Sequence, residues 1–326
     1  MHGPERVLPA GGKEMIMMKK YRLETDRNGF HGVWYPAGTD TNCAMILMLG
    51  DDSEDLMAKS GAKWIHRQGC HALAMSPSKK DYGHHEYPLE RFEQAIRFLK
   101  SKGCEKIGIV GASTTGMLAL CASSYFEDLT LTIALTPSDF IMEGFYRDNK
   151  DGMKERPGDN ESSVSYKGKG LPYLPYAYRH PQYWQMIEKE SKETGNMTAS
   201  RNLFDESERL HPLREEEKIK VENIHGRILF IGAEDDVLWD TCRYIRRMQE
   251  RLNTLPHTCT YEAYCYEHGT HFVFPQSFLD MILPVGTSKL IGLMFKAAKQ
   301  YSKECRKTRE DIDLRITQAI RSWKTE

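Results

Sequence analysis

Lys106–Gly116 reads KIGIVGASTTG, and this stretch decides the fold. Ile107, Ile109 and Val110 make a short apolar run of the kind that fills a buried strand. Gly111 and Ala112 follow, then Ser113, and a helical pattern opens at once through Met117–Ala122. A strand that turns directly into a helix exposes the serine at the tip of a sharp bend, the geometry of a nucleophile elbow. Small residues at 111 and 112 let the backbone turn without a Cβ clash. The helix start supplies unpaired N–H groups and a partial positive charge beside the serine. Such groups suit a developing oxyanion, and the Thr114 N–H is the first expected donor. The competing reading is an ordinary Gly/Ser-rich turn. One feature departs from the usual elbow: Thr115 stands two residues after the serine, where glycine is customary, and Gly116 comes one step later.

Outward from the elbow, apolar runs alternate with amphipathic segments. Ala44–Leu49, His71–Met75, Leu131–Leu135, Arg227–Ile231 and Thr258–Tyr266 are predicted strands. Leu89, Phe92, Ile96 and Leu99 recur at helical spacing, a helix runs through Trp239–Leu252, and Phe278–Tyr301 is predicted as one long helical stretch. Strands that alternate with helices imply a mostly parallel sheet covered on both faces. Tyr21–Thr25 and Gly32–Tyr35 are predicted to form an antiparallel entry hairpin.

The rhythm breaks between Asp139 and about Lys220, a segment rich in Gly, Pro, charge and aromatics in which no strand is predicted. A long insertion inside a compact fold is usually a lid or a binding element. The expected organisation is therefore a tail at 1–20, flexible in this reading, and a core made of 21–138 and 221–302. A cap spans 139–220 and a C-terminal helix spans 303–326. Ile312, Ile316, Ile320 and Trp323 share one face of that helix, which is expected to pack on its own domain.

Composition narrows the function classes. A formal net charge of −1 offers no electrostatic footprint for nucleic acid or an anionic membrane. No apolar run approaches the ~20 residues that span a bilayer. Residues 1–20 lack an apolar core followed by a cleavage site, and the eight scattered cysteines contain no CxxC pair. The expectation is a reducing cytoplasm and no disulfide framework.

Two further stretches carry chemistry. RILFIGAEDDVLW (Arg227–Trp239) runs a strand into Gly232 and then into Asp235 and Asp236. YCYEHGTHFVFP (Tyr264–Pro275) ends a strand and offers His268 and His271. A carboxylate at a strand end can orient a histidine, and histidine is the usual general base near neutral pH. Serine, then acid, then histidine is the chain order of α/β-hydrolases, and each follows a strand, so all three would gather at one sheet edge. Counting from Gly232 favours Asp235, while the Gly269–Thr270 step favours His271. The second oxyanion donor is expected from the loop after Gly50, at the backbone of Asp51 or Asp52. The acids Asp51–Asp55 there read foremost as complements to a helix start. His84 and His85 are adjacent with no third ligand nearby, a weak metal pattern, so no metal is expected.

Four stretches resemble the C-terminal catalytic domain of the acyl-CoA thioesterase and bile acid-CoA:amino acid N-acyltransferase family. They are YPLERFEQAIRFLK (87–100), IGIVGASTTGMLAL (107–120), GKGLPYLPYAY (168–178) and VENIHGRILFIGAEDDVLW (221–239). The resemblance spans roughly residues 44–300. In the family pattern the acid lies three residues before a tryptophan and the histidine five residues after a tyrosine. It therefore implies Asp236 before Trp239, and His271 after Tyr266. It also implies a serine hydrolase that cleaves an acyl ester or thioester through Ser113 with no cofactor. A cysteine at that position marks amino-acid transfer in some members. Tyr173, Tyr176 and Trp239 are the expected substrate-binding residues, and the partner is a small acyl substrate, with a homo-oligomer left open. The alternatives are an acyltransferase that passes the acyl group to an amine, a carboxylesterase or peptidase, and a silent binding protein of the same fold.

Overall fold

A computed structural model describes residues 18–50, 52–75, 84–146 and 156–326. Eight strands form the main sheet: β1 Tyr21–Leu23, β2 Gly32–Tyr35, β3 Cys43–Met48, β4 His71–Ala74, β5 Lys106–Ala112, β6 Leu129–Leu135, β7 Arg227–Ala233 and β8 Thr260–Tyr266. Their spatial order is β1-β2-β4-β3-β5-β6-β7-β8. The β1–β2 and β2–β4 pairs are antiparallel, and every pair from β4 to β8 is parallel. The apolar runs of β3, β5 and β7 are buried on both faces, which is why they read as continuous hydrophobic stretches.

Helices cover the two faces. On one lie α2 Glu90–Ser101, α3 Thr114–Tyr125 and α6 Thr241–Thr254, with Phe92, Ile96, Leu118 and Ile245 in their core. On the other lie α1 Leu56–Arg67, α7 Gln276–Ile282, α8 Thr287–Met294 and α9 Ser302–Thr325. The α9 stripe of Ile312, Ile316, Ile320 and Trp323 is buried in the second core. Trp323 Nε1 donates to Thr130 Oγ1 at 2.8 Å, and Lys106 Nζ donates to the carbonyls of Trp323 and Lys324 at the helix C-terminus.

The predicted long helix over Phe278–Tyr301 is instead three pieces: α7, α8 and a short helical turn, an α-helix of five residues, at Lys296–Gln300. Leu283-Pro284-Val285-Gly286 breaks it, with Gly286 at φ 91°, and extended Phe295 breaks it again. The predicted absence of strands in 139–220 is also corrected. Glu143–Tyr146 pairs with Arg156–Ser162, and Val164–Tyr166 pairs with Lys169–Gly170 across Lys167-Gly168. Both turn residues have positive φ, at 53° and 70°, as a two-residue hairpin turn requires. Two helices complete this segment: α4 Gln182–Thr194 and α5 Arg201–Leu210.

Candidate active site

The elbow is set by close backbone approach. Ser113, between β5 and α3, has φ 62° and ψ −130°, a backbone state that costs a non-glycine residue roughly 1–3 kcal/mol. Its own N–H is tied to the Leu135 carbonyl at 2.8 Å. A Cβ at Gly111 would lie 2.0 Å from the Thr115 carbonyl oxygen, and one at Gly116 would lie 2.8 Å from the Leu135 carbonyl oxygen. Glycine is therefore needed at 111 and 116, and the side chain at 115 has room. Thr115 Oγ1 bridges the two strands at the turn: it accepts from Ala112 N and lies within 2.7 Å of the Met48 and Ala112 carbonyls. Thr114 opens α3, so its N–H has no acceptor within the helix.

At the end of β7, Asp236 is 1% exposed, so its carboxylate must be satisfied by the protein. Oδ1 accepts from Leu238 N at 2.9 Å, and Oδ2 accepts from Thr241 Oγ1 at 2.5 Å. Oδ2 also lies 2.8 Å from His271 Nδ1. Because a carboxylate only accepts, Nδ1 carries the proton and Nε2 is left as the basic nitrogen. His271 Nε2 is buried and has no hydrogen-bond partner among the described residues. Trp239 packs edge-on against the His271 ring at 4.8 Å and donates from Nε1 to the Thr136 carbonyl.

Ser113, Thr114 and His271 line one cavity of about 380 Å³, without a hydrogen bond between Ser113 and His271 Nε2. Trp239 and Tyr176 line it too, with His84, Phe145, Trp184 and Phe204. None of the described residues lining it is Lys or Arg. A larger depression of about 810 Å³ lies at the opposite end of the strands, where Asp128, His225 and Thr258 precede β6–β8. Open parallel sheets bind ligands at the carboxyl ends of their strands, which is where Ser113, Asp236 and His271 stand.

One expected site residue stands elsewhere. Tyr173 does not line the cavity. The chain is extended there, so alternate residues point opposite ways: Leu174 and Tyr176 go inward, and Tyr173 stays half-exposed. The expected donor Asp51 lies outside the described residues. At Asp52 the backbone N–H is engaged by Asp55 Oδ2 at 3.3 Å, and Asp55 caps α1 by accepting from Ala58 N. His84 stacks on Phe145 at 4.7 Å, while His85 approaches Glu161. Among the described residues, one trio of metal-ligand types comes together: Glu234, Cys242 and Cys265. Arg246 is ion-paired with that Glu234 and sets a positive charge against a cation there. Sequence reasoning puts Tyr183 and Trp184 among the cap aromatics without singling them out as site residues, and it misses Phe204 of α5; all three line the cavity. Their signal was the aromatic density of the insertion, which says nothing of which rings turn inward.

A family model described as "BAAT / Acyl-CoA thioester hydrolase C terminal" matches residues 87–279, more than half of the chain. Among solved structures, an esterase from Pyrococcus furiosus, Pf2001, matches at 13% identity and TM-score 0.48, covering 92% of this chain and 98% of its own. An α/β-hydrolase from a Medee basin deep-sea metagenome library, MGS-M1, matches at 14% identity and TM-score 0.47, covering 91% and 98%. No curated protein matches the sequence. Among the described residues no single helix is long and apolar enough to cross a membrane. With its parallel sheet, its strand-to-helix elbow and the family match over residues 87–279, the chain belongs to the BAAT / acyl-CoA thioester hydrolase C-terminal family of α/β-hydrolases.

Proposed function

We propose that the protein is a serine hydrolase that cleaves an acyl ester or thioester by way of an acyl-enzyme. The observation that carries this reading is one cavity lined by Ser113, on its strained turn, and by His271, whose Nδ1 is held by buried Asp236. Ser113 Oγ attacks the acyl carbonyl carbon and gives its proton to His271 Nε2. Asp236 stabilises the resulting imidazolium. The carbonyl oxygen becomes an oxyanion and takes the Thr114 N–H. The carbonyl re-forms as the leaving alkoxide or thiolate departs with the proton from His271. Water, deprotonated by the same nitrogen, then releases the acid and frees Ser113. The second oxyanion donor in this reading remains the backbone of Asp51. The site's own residues supply the nucleophile, the base and the first donor, so the reaction needs no cofactor.

The apolar lining fits an uncharged acyl chain, and the cavity offers no described cation for the phosphates of coenzyme A. Simple esters of short or medium acyl chains are therefore expected to be turned over at least as well as matched CoA thioesters. A panel of both, with and without added glycine or taurine, tests this. A hundredfold or greater preference for CoA thioesters would overturn the substrate reading. An N-acyl amino acid as main product would replace hydrolysis with acyl transfer.

A further inference from the structure

Asp235 sits beside Asp236 but does different work. Its Oδ1 accepts from the backbone N–H of Gly269 at 3.0 Å and of Thr270 at 2.7 Å. Its Oδ2 lies 3.4 Å from His268 Nδ1. The loop it holds is the one that carries His271, and the loop needs holding. Thr270 is β-branched, fully buried and at φ 60°, a left-handed conformation that such a residue adopts only when its surroundings impose it. A Cβ at Gly269 would come within 3.0 Å of Ala233 and 3.1 Å of Val273, so the loop is pressed against β7 as it turns. Further ties come from α9 and the turn before it. Thr308 Oγ1 donates to the His268 carbonyl, and the Tyr301 ring stacks on the His268 ring at 3.8 Å.

Resting on the serine-hydrolase reading above, we infer that Asp235 is a positioning residue: its carboxylate clamps the backbone of residues 269–270 so that His271 reaches both Asp236 and the Ser113 cavity. One acid orients the imidazole ring and its neighbour orients the chain that bears it. The role needs an oxygen that accepts two N–H bonds, not a charge. Asparagine supplies such an oxygen and alanine does not.

The test compares wild type, Asp235→Ala, Asp235→Asn and Ser113→Ala, using hydrolysis of p-nitrophenyl butyrate and the rate of labelling by a fluorophosphonate. Asp235→Ala should lower kcat and the labelling rate about a hundredfold with KM little changed, as expected when a reacting group is misplaced by about 1 Å. Asp235→Asn should restore both to within severalfold of wild type. An Asp235→Ala enzyme with wild-type kcat, an effect confined to KM, or an asparagine variant as poor as alanine would each overturn the inference. If Ser113→Ala keeps activity, the serine reading itself fails, whatever Asp235 does. Should the alanine variant not fold, hydrogen exchange on the wild-type protein decides. The Gly269 and Thr270 amides should be protected like those of β8, and rapid exchange there would refute the clamp.

Discussion

The sheet edge that carries Ser113, Asp236 and His271 and the inserted segment 139–220 face the same cavity, yet they are held in place by different forces. The edge is fixed by backbone contact and short buried hydrogen bonds: Gly111 against Thr115, Gly116 against Leu135, and Asp236 between Leu238, Thr241 and His271. The insertion is anchored by side chains buried in the first core, among them Phe140, Met142, Leu174 and Leu203, and it adds a set of arginine–carboxylate pairs that the edge lacks. Arg247 of α6 reaches both Asp139 and Glu208 at 2.5 Å, Arg243 reaches Asp205 and Glu208, and Arg179 grips the buried Glu143. Towards the cavity it presents aromatic rings, with Tyr176 packed against Tyr183 and Phe204, and Phe204 against Trp239. The difference teaches where each property should reside. Under the proposed function, chemistry should reside at the edge, and substrate choice in the cavity side chains of the insertion.

The comparison is broken most severely at the edge. His271→Ala and Asp236→Asn should each lower kcat by about 10⁴-fold in steady-state ester hydrolysis, with the fold intact by circular dichroism. Equal losses from comparable substitutions in the insertion would erase the distinction.

Stability offers a second break, through pH. Burial lifts the Asp139 carboxyl from 3.8 to about 6, even though Arg247 pulls it down. The folded protein thus holds this proton more tightly than the unfolded chain. The associated stability is fully present below about pH 4 and is lost as pH rises through about 6. Asp139→Asn mimics the protonated form. Its stability relative to wild type should therefore grow, by on the order of 1–3 kcal/mol, from pH 4 to pH 7 in urea titrations. A pH-independent difference would mean that the Arg247 pair fully offsets the burial penalty on the Asp139 carboxylate.

A finer test separates the two tyrosines. Tyr176→Ala should shift the preference among acyl chain lengths by about tenfold, the worth of about 1.4 kcal/mol of lost contact, while fluorophosphonate labelling of Ser113 persists. Tyr173→Ala should shift it far less, because that ring lies outside the cavity. The reverse result would mean that the insertion closes differently over substrate. The smallest expected effect belongs to His268→Ala, which removes a ring stacked on Tyr301 and no group in the cavity: tenfold or less in kcat.

The same contrast explains what could be read from the sequence. Strands β3, β5 and β7 were legible because a doubly covered parallel strand must be apolar throughout. The elbow was legible because Gly111 and Gly116 answer steric demands written in local sequence. Ser113, Asp236 and His271 were named from chain order and from a family register, and they do converge. The insertion resisted reading because its strands are short and polar. Which of Tyr173 and Tyr176 turns inward depends on the pairing of Leu174 with Ile141, a long-range contact. The role of Asp235 was hidden for a related reason. A carboxylate that accepts backbone N–H groups 34 and 35 residues away leaves no local signature.

The central claim is that Ser113 is the nucleophile, and labelling tests it most directly. Wild-type protein treated with a fluorophosphonate should gain one adduct, located by mass spectrometry on the peptide that contains Ser113. Ser113→Ala should take up none and should hydrolyse p-nitrophenyl butyrate at least about 10³-fold more slowly. An adduct on another residue, or a Ser113→Ala protein with wild-type turnover, would contradict the account.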